Sequence, residues 1–243
     1  IIEENIISAV QNNIMGTKVL CDLSLEYNIK KFLFVSSDKA VRPTNILGAC
    51  KRISEIYVNA INELGSKTKF FSVRFGNVLG SSGSAFNTFV NQIESRNTIT
   101  LTSKDMTRYF MTIEEAVSLL IKTLEISKGK ELFVLDMGEP YNIHELILRL
   151  VRLYGLNIKN NNGDGDIDLK ISGLRKGEKL YEELFIKDTY KKTIENKIFV
   201  ADESSISFQE IQDITEKLDL NSKNNNSQNI KKIFSETVEG YKF

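Results

Sequence analysis

The sequence predicts an α/β fold, a parallel sheet wound with helices on both faces. Three observations carry this prediction. The short runs KFLFVS (31–36), KFFSVRF (69–75) and ELFVLD (131–136) have the length and apolarity of strands buried on both faces. Longer stretches between them carry apolar residues at helical spacing. The two kinds of segment alternate, which is the pattern of strands joined by packed helices.

Taken in order, residues 4–27 set Ile6, Val10, Ile14, Met15, Leu20 and Leu23 at roughly helical spacing, which predicts an amphipathic helix. The strand at 31–36 follows, then a helical pattern over 46–64 and the strand at 69–75. A helix near 84–95 and a strand around 97–101 come next. Thr112 and Glu115 form a capping box before TIEEAVSLLIKTLEIS. Beyond the strand at 131–136, Asn142 with Glu145 caps NIHELILRLVRLYG, DLKISG (168–173) reads as a strand, and Ser207 with Glu210 starts a late helix. Two segments read as exposed loops, 157–166 and 220–228. The first has the flavour of a calcium loop, but with Gly165 at the sixth position the twelfth is Ile171, where a bidentate glutamate belongs.

Composition excludes several classes. The 243 residues are 41% hydrophobic and 26% charged, a globular mixture able to bury a sizeable core. Thirty-two basic residues balance thirty-two acidic ones, so no net field draws nucleic acid or an anionic membrane. No apolar run reaches the ~18 to 20 residues of a membrane span. A cytoplasmic location is therefore expected, with anchoring through a region upstream of Ile1 as the alternative. Cys21 and Cys50 are too few for a disulfide framework and lack metal-site spacing, so no metal is expected.

Gly76, Gly80 and Gly83 in RFGNVLGSSG follow a strand and precede a helix, which invites a dinucleotide fingerprint. Such a loop normally ends the first strand of its fold, and here another strand and two helices come earlier. A loop lining another ligand suits the position better. Ligands of parallel α/β sheets sit beyond the carboxyl ends of the strands. Ser36, Ser37, Asp38 and Lys39 lie at one such end and Arg74, Asn77 and Ser81 at another, so the two clusters are expected to line one crevice.

SSDKAVRPTN followed by GACK, RFGNVLGSSGS, TRYFMTIEEAV, FVLDMGEP and LRKGEKLYEEL together resemble, in order and spacing, the nucleotide-sugar enzymes of the extended short-chain dehydrogenase/reductase superfamily. Within it the similarity points to the CapD-type polysaccharide-biosynthesis group, the UDP-N-acetylhexosamine 4,6-dehydratases, over about residues 8–200. The resemblance implies a Rossmann-like doubly wound sheet with a smaller substrate-binding lobe, NAD or NADP, a UDP-sugar substrate and a homo-oligomer. Residues 1–80 with 113–140 would form the C-terminal part of the NAD-binding domain. Residues 81–112 with 141–243 would form the nucleotide-sugar lobe and a C-terminal extension. Family members carry earlier strands and a glycine-rich pyrophosphate loop that nothing here supplies, so the chain is expected to match the C-terminal two-thirds of a catalytic unit.

Most of that superfamily uses a Tyr-x-x-x-Lys pair. Here Lys51 supplies the lysine, and Leu47 stands where the tyrosine would be. A leucine exchanges no proton, so the chemistry must lie elsewhere. The resemblance implies Asp38 as acid toward the C6 hydroxyl, Lys39 as base at C5 and Ser37 near the C4 hydroxyl, with Lys51 completing the catalytic set. It implies Asn13, Ser36, Lys51 and Arg74 toward the cofactor, and Asn77, Ser81, Ser82, Arg108, Arg175 and Glu178 toward the UDP-sugar. Neighbours in an extended segment point to opposite sides, so the chain must curl for Asp38 and Lys39 to face one sugar. The alternatives are a nucleotide-sugar 4-epimerase or reductase, and a non-catalytic nucleotide-sugar-binding remnant. His144, two residues after a helix cap, reads as structural.

Overall fold

A computed structural model describes residues 2–81, 83–160, 162–187 and 189–241. The chain forms two compact units: Ile1–Phe75 with Ser118–Asp136 and Glu183–Phe243, and Gly76–Val117 with Met137–Glu182.

The first unit is built on a five-stranded sheet of β1 (Lys31–Val35), β2 (Lys69–Arg74), β3 (Leu132–Leu135), β4 (Tyr190–Lys192) and β5 (Ile198–Ala201), in the order β1-β2-β3-β5-β4. β1, β2 and β3 are parallel, with Leu33 opposite Phe71 and Val73 opposite Phe133. β5 joins β3 antiparallel and β4 joins β5 antiparallel. Phe70, Phe71, Val73, Phe133 and Val134 are all buried, as the unbroken apolar runs required of strands covered on both faces.

The predicted first helix is present with an insertion: Ile6–Ala9 is α-helical, Val10–Met15 is π-helical and Gly16–Glu26 is α-helical again. It packs with helix Ile46–Ala60 and with the C-terminal helices Phe208–Lys223 and Ser227–Thr237 around one core, in which Val10, Ile14, Ile53, Tyr57, Ile211, Leu218, Ile230 and Phe234 meet.

The second unit has three short strand pairs and two helices, Ala85–Glu94 and Ile143–Leu153. Asn77–Val78 runs parallel to Phe110–Met111, Ile99–Leu101 parallel to Leu169–Ile171, and Thr107–Arg108 antiparallel to Tyr141–Asn142. Phe89, Ile93, Ile99, Leu101, Ile147 and Val151 make its own core. The caps expected from sequence form: Thr112 Oγ1 accepts the Glu115 N–H at 3.1 Å, Asn142 Oδ1 that of Glu145 at 3.0 Å and Ser207 Oγ that of Glu210 at 3.2 Å.

Two expectations are revised. Residues 183–243, grouped from sequence with the smaller lobe, belong to the first unit, because β5 hydrogen-bonds into the sheet beside β3 and both late helices bury apolar faces in the first core. The exposed loop expected over 220–228 is mostly helix. Phe208–Lys223 continues through it, and Asn226 Oδ1 caps the next helix by accepting the Asn229 N–H at 3.1 Å. Among the described residues no helix is long and apolar enough to cross a membrane.

Candidate active site

The end of β1 turns into the site without breaking the sheet's hydrogen bonding. The Ser36 N–H donates to the Val73 carbonyl at 2.8 Å and the Asp38 N–H to that of Phe75 at 3.1 Å. Ser37 is extended (φ −150°), and its Oγ accepts the Lys39 N–H at 3.3 Å, starting a 3-10 turn over Asp38–Ala40. That turn is the curl expected from sequence. It brings neighbouring side chains onto one oxygen: Asp38 Oδ1 accepts from Ser37 Oγ at 2.8 Å and from Lys39 Nζ at 2.9 Å.

The environment of Asp38 is unusual for a carboxylate. Its side chain has no exposed surface while that of Lys39 keeps 29%. Its second oxygen, Oδ2, is buried without a hydrogen-bond partner. Burying a charged or polar atom unpaired is costly, and native chains rarely do it away from function. Oδ2 is thus free to take or give a proton.

Lys51 projects from helix Ile46–Ala60 toward the same strand end, where Nζ donates to the Val35 carbonyl at 3.0 Å and lies 4.7 Å from the centre of the Phe34 ring. Burial pulls its ammonium below the ordinary lysine range, opposed by Glu55 and Cys50. Asn45 Oδ1 accepts the Gly48 N–H at 2.8 Å, and Glu3 accepts the Ile46 N–H with both oxygens, at 2.8 and 3.0 Å. Two acceptors on the helix start fix the direction of the helix that carries Leu47 and Lys51.

The cofactor expectations divide. Asn13 lies in the π-helical segment, with its amide donating to the Ala9 carbonyl at 3.0 Å, and its own carbonyl accepts the Thr17 and Ser54 hydroxyls at 2.6 and 2.9 Å. Ser36 is buried, with 4% of its surface exposed. Arg74 requires a correction. It has no exposed surface and is gripped by Glu55 (Nε–Oε1 2.7 Å, Nη2–Oε2 2.6 Å) and Glu203 (Nη1–Oε1 2.6 Å). Arg52 joins the same two carboxylates at 3.1 and 2.5 Å, making a neutral quartet in the interior. A guanidinium held this way serves the core and has no fork left for a phosphate. Nothing in the sequence marked Glu203, although Glu55, one turn beyond Lys51 in the buried face of a helix, was a readable signal.

In the second unit, Asn77 pairs through its backbone, donating to the Tyr109 carbonyl at 3.1 Å. Ser81 lies in the turn leading to helix Ala85–Glu94, where its carbonyl accepts the Ser84 N–H at 3.1 Å and the Asn87 amide at 3.0 Å. Ser82 lies outside the described residues. Arg108 also departs from its assignment. Its guanidinium donates to the carbonyls of Thr107, Leu180 and Lys179 at 2.7, 3.2 and 2.8 Å and sits 3.7 Å from Glu182, so it ties the segment after residue 178 to the strand Thr107–Arg108. Glu178 closes a turn: Oε2 accepts the Arg175 N–H and the Glu178 N–H donates to the Arg175 carbonyl, both at 3.0 Å. The Arg175 side chain stays exposed on that turn, which suits an anion contact. His144 is half-buried in helix Ile143–Leu153.

Residues 1–203 match the family described as "Polysaccharide biosynthesis protein". The chain belongs to that family. The capsular polysaccharide biosynthesis protein CapD of Staphylococcus aureus is 48% identical over 188 residues, 77% of this chain and 30% of CapD. The inverting UDP-N-acetylglucosamine 4,6-dehydratase of Campylobacter jejuni serotype O:2 is 32% identical over 211 residues, 86% of this chain and 59% of that enzyme. This polysaccharide-biosynthesis chain thus spans between about a third and three-fifths of the length of these relatives. Among solved structures, the X-ray structure of Pen from Bacillus thuringiensis superposes with a TM-score of 0.73 at 31% identity, covering 90% of this chain and 72% of that one. The Rossmann-like α/β architecture is therefore that of the family. The matched span holds every candidate site residue and stops before the two C-terminal helices.

Proposed function

We propose that the Ser37–Asp38–Lys39 turn carries the proton transfers of a nucleotide-sugar 4,6-dehydration, in which a UDP-N-acetylhexosamine becomes a 4-keto-6-deoxy sugar for surface-polysaccharide synthesis. The observation that carries this reading is the convergence of Ser37 and Lys39 on Oδ1 of a buried Asp38 whose other oxygen is bare. The similarity to a dehydratase supports the reaction class.

The residues form a relay. The C4 hydroxyl loses its proton through Ser37 to the Asp38 carboxylate, over the 2.8 Å Ser37–Asp38 hydrogen bond. Neutralising Asp38 removes the anion that holds Lys39 as an ammonium, which favours the free amine. Lys39 then takes the C5 proton while Asp38 protonates the C6 hydroxyl, which departs as water, and Lys39 later returns its proton to C5. Leu47, at the position where the superfamily has tyrosine, contributes no proton. Lys51 fits a dinucleotide, because a cation at the carboxyl end of β1 can hold ribose hydroxyls; Arg74, sealed in its quartet, does not fit. NAD or NADP, when bound, would accept the C4 hydride and return it at C6.

The test uses the longer protein with UDP-N-acetylglucosamine in deuterated solvent. Deuterium at C5 of a 6-deoxy product is expected, with Lys39→Ala abolishing turnover and Leu47→Tyr failing to restore it. An unlabelled 4-epimer as product, or full turnover in Lys39→Ala, rejects the reading.

A further inference from the structure

We infer that Arg42 is a positioning residue for the Ser37–Lys39 turn, braced by the C-terminal segment at Gly240; this rests on the reading of that turn as the seat of proton transfer. Arg42 has φ +37°, a left-handed conformation uncommon for a residue with a Cβ. It also precedes Pro43, whose ring pushes its predecessor toward extended backbone. A backbone of this kind persists only where its surroundings over-determine it.

Those surroundings are specific. The two Nη atoms of Arg42 donate to the Glu183 carboxylate and to the Ile186 carbonyl. Gly240, itself at φ +81°, lies flat on Arg42: a Cβ there would stand 3.0 Å from the Arg42 Cβ, 3.1 Å from Cγ and 3.2 Å from Cα. Tyr241 anchors Gly240, being 5% exposed in the core that holds Ile46 and Cys50 and packed edge-on to Phe234 at 5.8 Å. On the other side of the turn is Gly48, where a Cβ would overlap the Lys39 carbonyl oxygen and stand 2.8 Å from Pro43 Cβ. The segment from Lys39 to Pro43 is thus gripped between the Lys51 helix and a brace made of Arg42, Glu183 and Gly240.

The brace is a positioning device because its ion pair is poorly placed for general stabilisation. The Arg42 and Glu183 side chains are 44% and 41% exposed, and pairs of that kind contribute little to global stability. What they fix is where the chain goes three residues after Lys39. Gly240 lies beyond the family-matched span while Arg42 and Glu183 lie within it, so this chain's own C-terminal segment completes the grip.

Amide hydrogen exchange on the full chain tests the inference without any substrate. The reporters are the N–H groups of Lys39, Ala40 and Val41, which donate to Ser37 Oγ, the Ser37 carbonyl and the Asp38 carbonyl. Arg42→Ala and Gly240→Ala should each speed these amides by at least about tenfold while β2 and β3 amides keep their rates, since local opening is separable from global unfolding. Arg42→Lys should restore part of the protection, and Glu183→Gln, which preserves shape, provides the same readout should Arg42→Ala fail to fold. In the longer protein, Arg42→Ala should lower kcat for dehydration with KM nearly unchanged. Wild-type exchange at residues 39–41 in Arg42→Ala, or in Glu183→Gln where Arg42→Ala does not fold, overturns the inference. Faster turn exchange with no dehydration by the wild-type protein leaves the brace standing and removes the reaction reading.

Discussion

At the scale of single residues, Arg74 and Asp38 lie at the carboxyl ends of neighbouring strands and have opposite fates. Burial pushes the Glu55 carboxyl up, but the Arg74 guanidinium, its hydrogen bonds and Arg52 outweigh that and hold it below the ordinary carboxylate range. The folded state therefore binds fewer protons than the unfolded chain in mild acid. Its contribution is present above the unfolded value of ~4.3 and is lost as pH falls through the folded one. Glu55→Gln should remove part of that acid slope and cost about 3 to 5 kcal/mol near neutrality, because Arg74 keeps a buried charge with one partner gone. Urea titrations from pH 3 to pH 7 would check both, and an unchanged slope would count against the quartet. Asp38 has no such escort, and that asymmetry separates a core ion from a site ion. Sequence reading grouped Arg74 with the site because both strand ends look alike in one dimension. Its partners, Glu55 and Glu203, are 19 and 129 residues away.

At the scale of elements, local chemistry was legible wherever one segment specified its own ends. The capping residues at 112, 142 and 207 were readable because a side-chain oxygen and an N–H three residues on suffice to define a helix start. Ser207→Ala should accordingly cost about 1 kcal/mol in thermal or chemical unfolding, with no change at Asp38. β4 and β5 were not legible. YKK and IFVA are short, and their pairing with β3 is set by partners more than 50 residues earlier. The turn at Asp38 was half legible: the need for a curl followed from alternation in a strand, but the Gly48 contact that makes room for it did not.

At the scale of the whole molecule, the first unit joins sequence from both ends and the middle of the chain, so its core reports on the integrity of all three stretches. Cys21 and Cys50 both lie in that core with no exposed surface. Burial, helped by Asp22 at one and Glu3 at the other, pushes both thiols up to about 12. Since the thiolate is the reactive form, neither should react with an aromatic disulfide reagent at pH 8 until the unit opens. Two thiols should then appear together along a denaturant series; prompt labelling of either in the native state would contradict this core.

The π-helical stretch Val10–Met15 has a consequence for what changes in length the chain can absorb. In a regular helix, positions four apart drift by about 40° per step, so Ile6, Val10 and Ile14 would wander off a common line. The wider turn holds these three buried on one side and then hands the contact to Thr17, Cys21 and Ser24. Losing a single residue here would wind the stretch back to regular helix and rotate everything after it by about 100°. Val19 and Leu20, now more than half exposed, would swing across the surface while Cys21 left the interior. Residue count in this segment is thus as strict a determinant of the fold as residue identity.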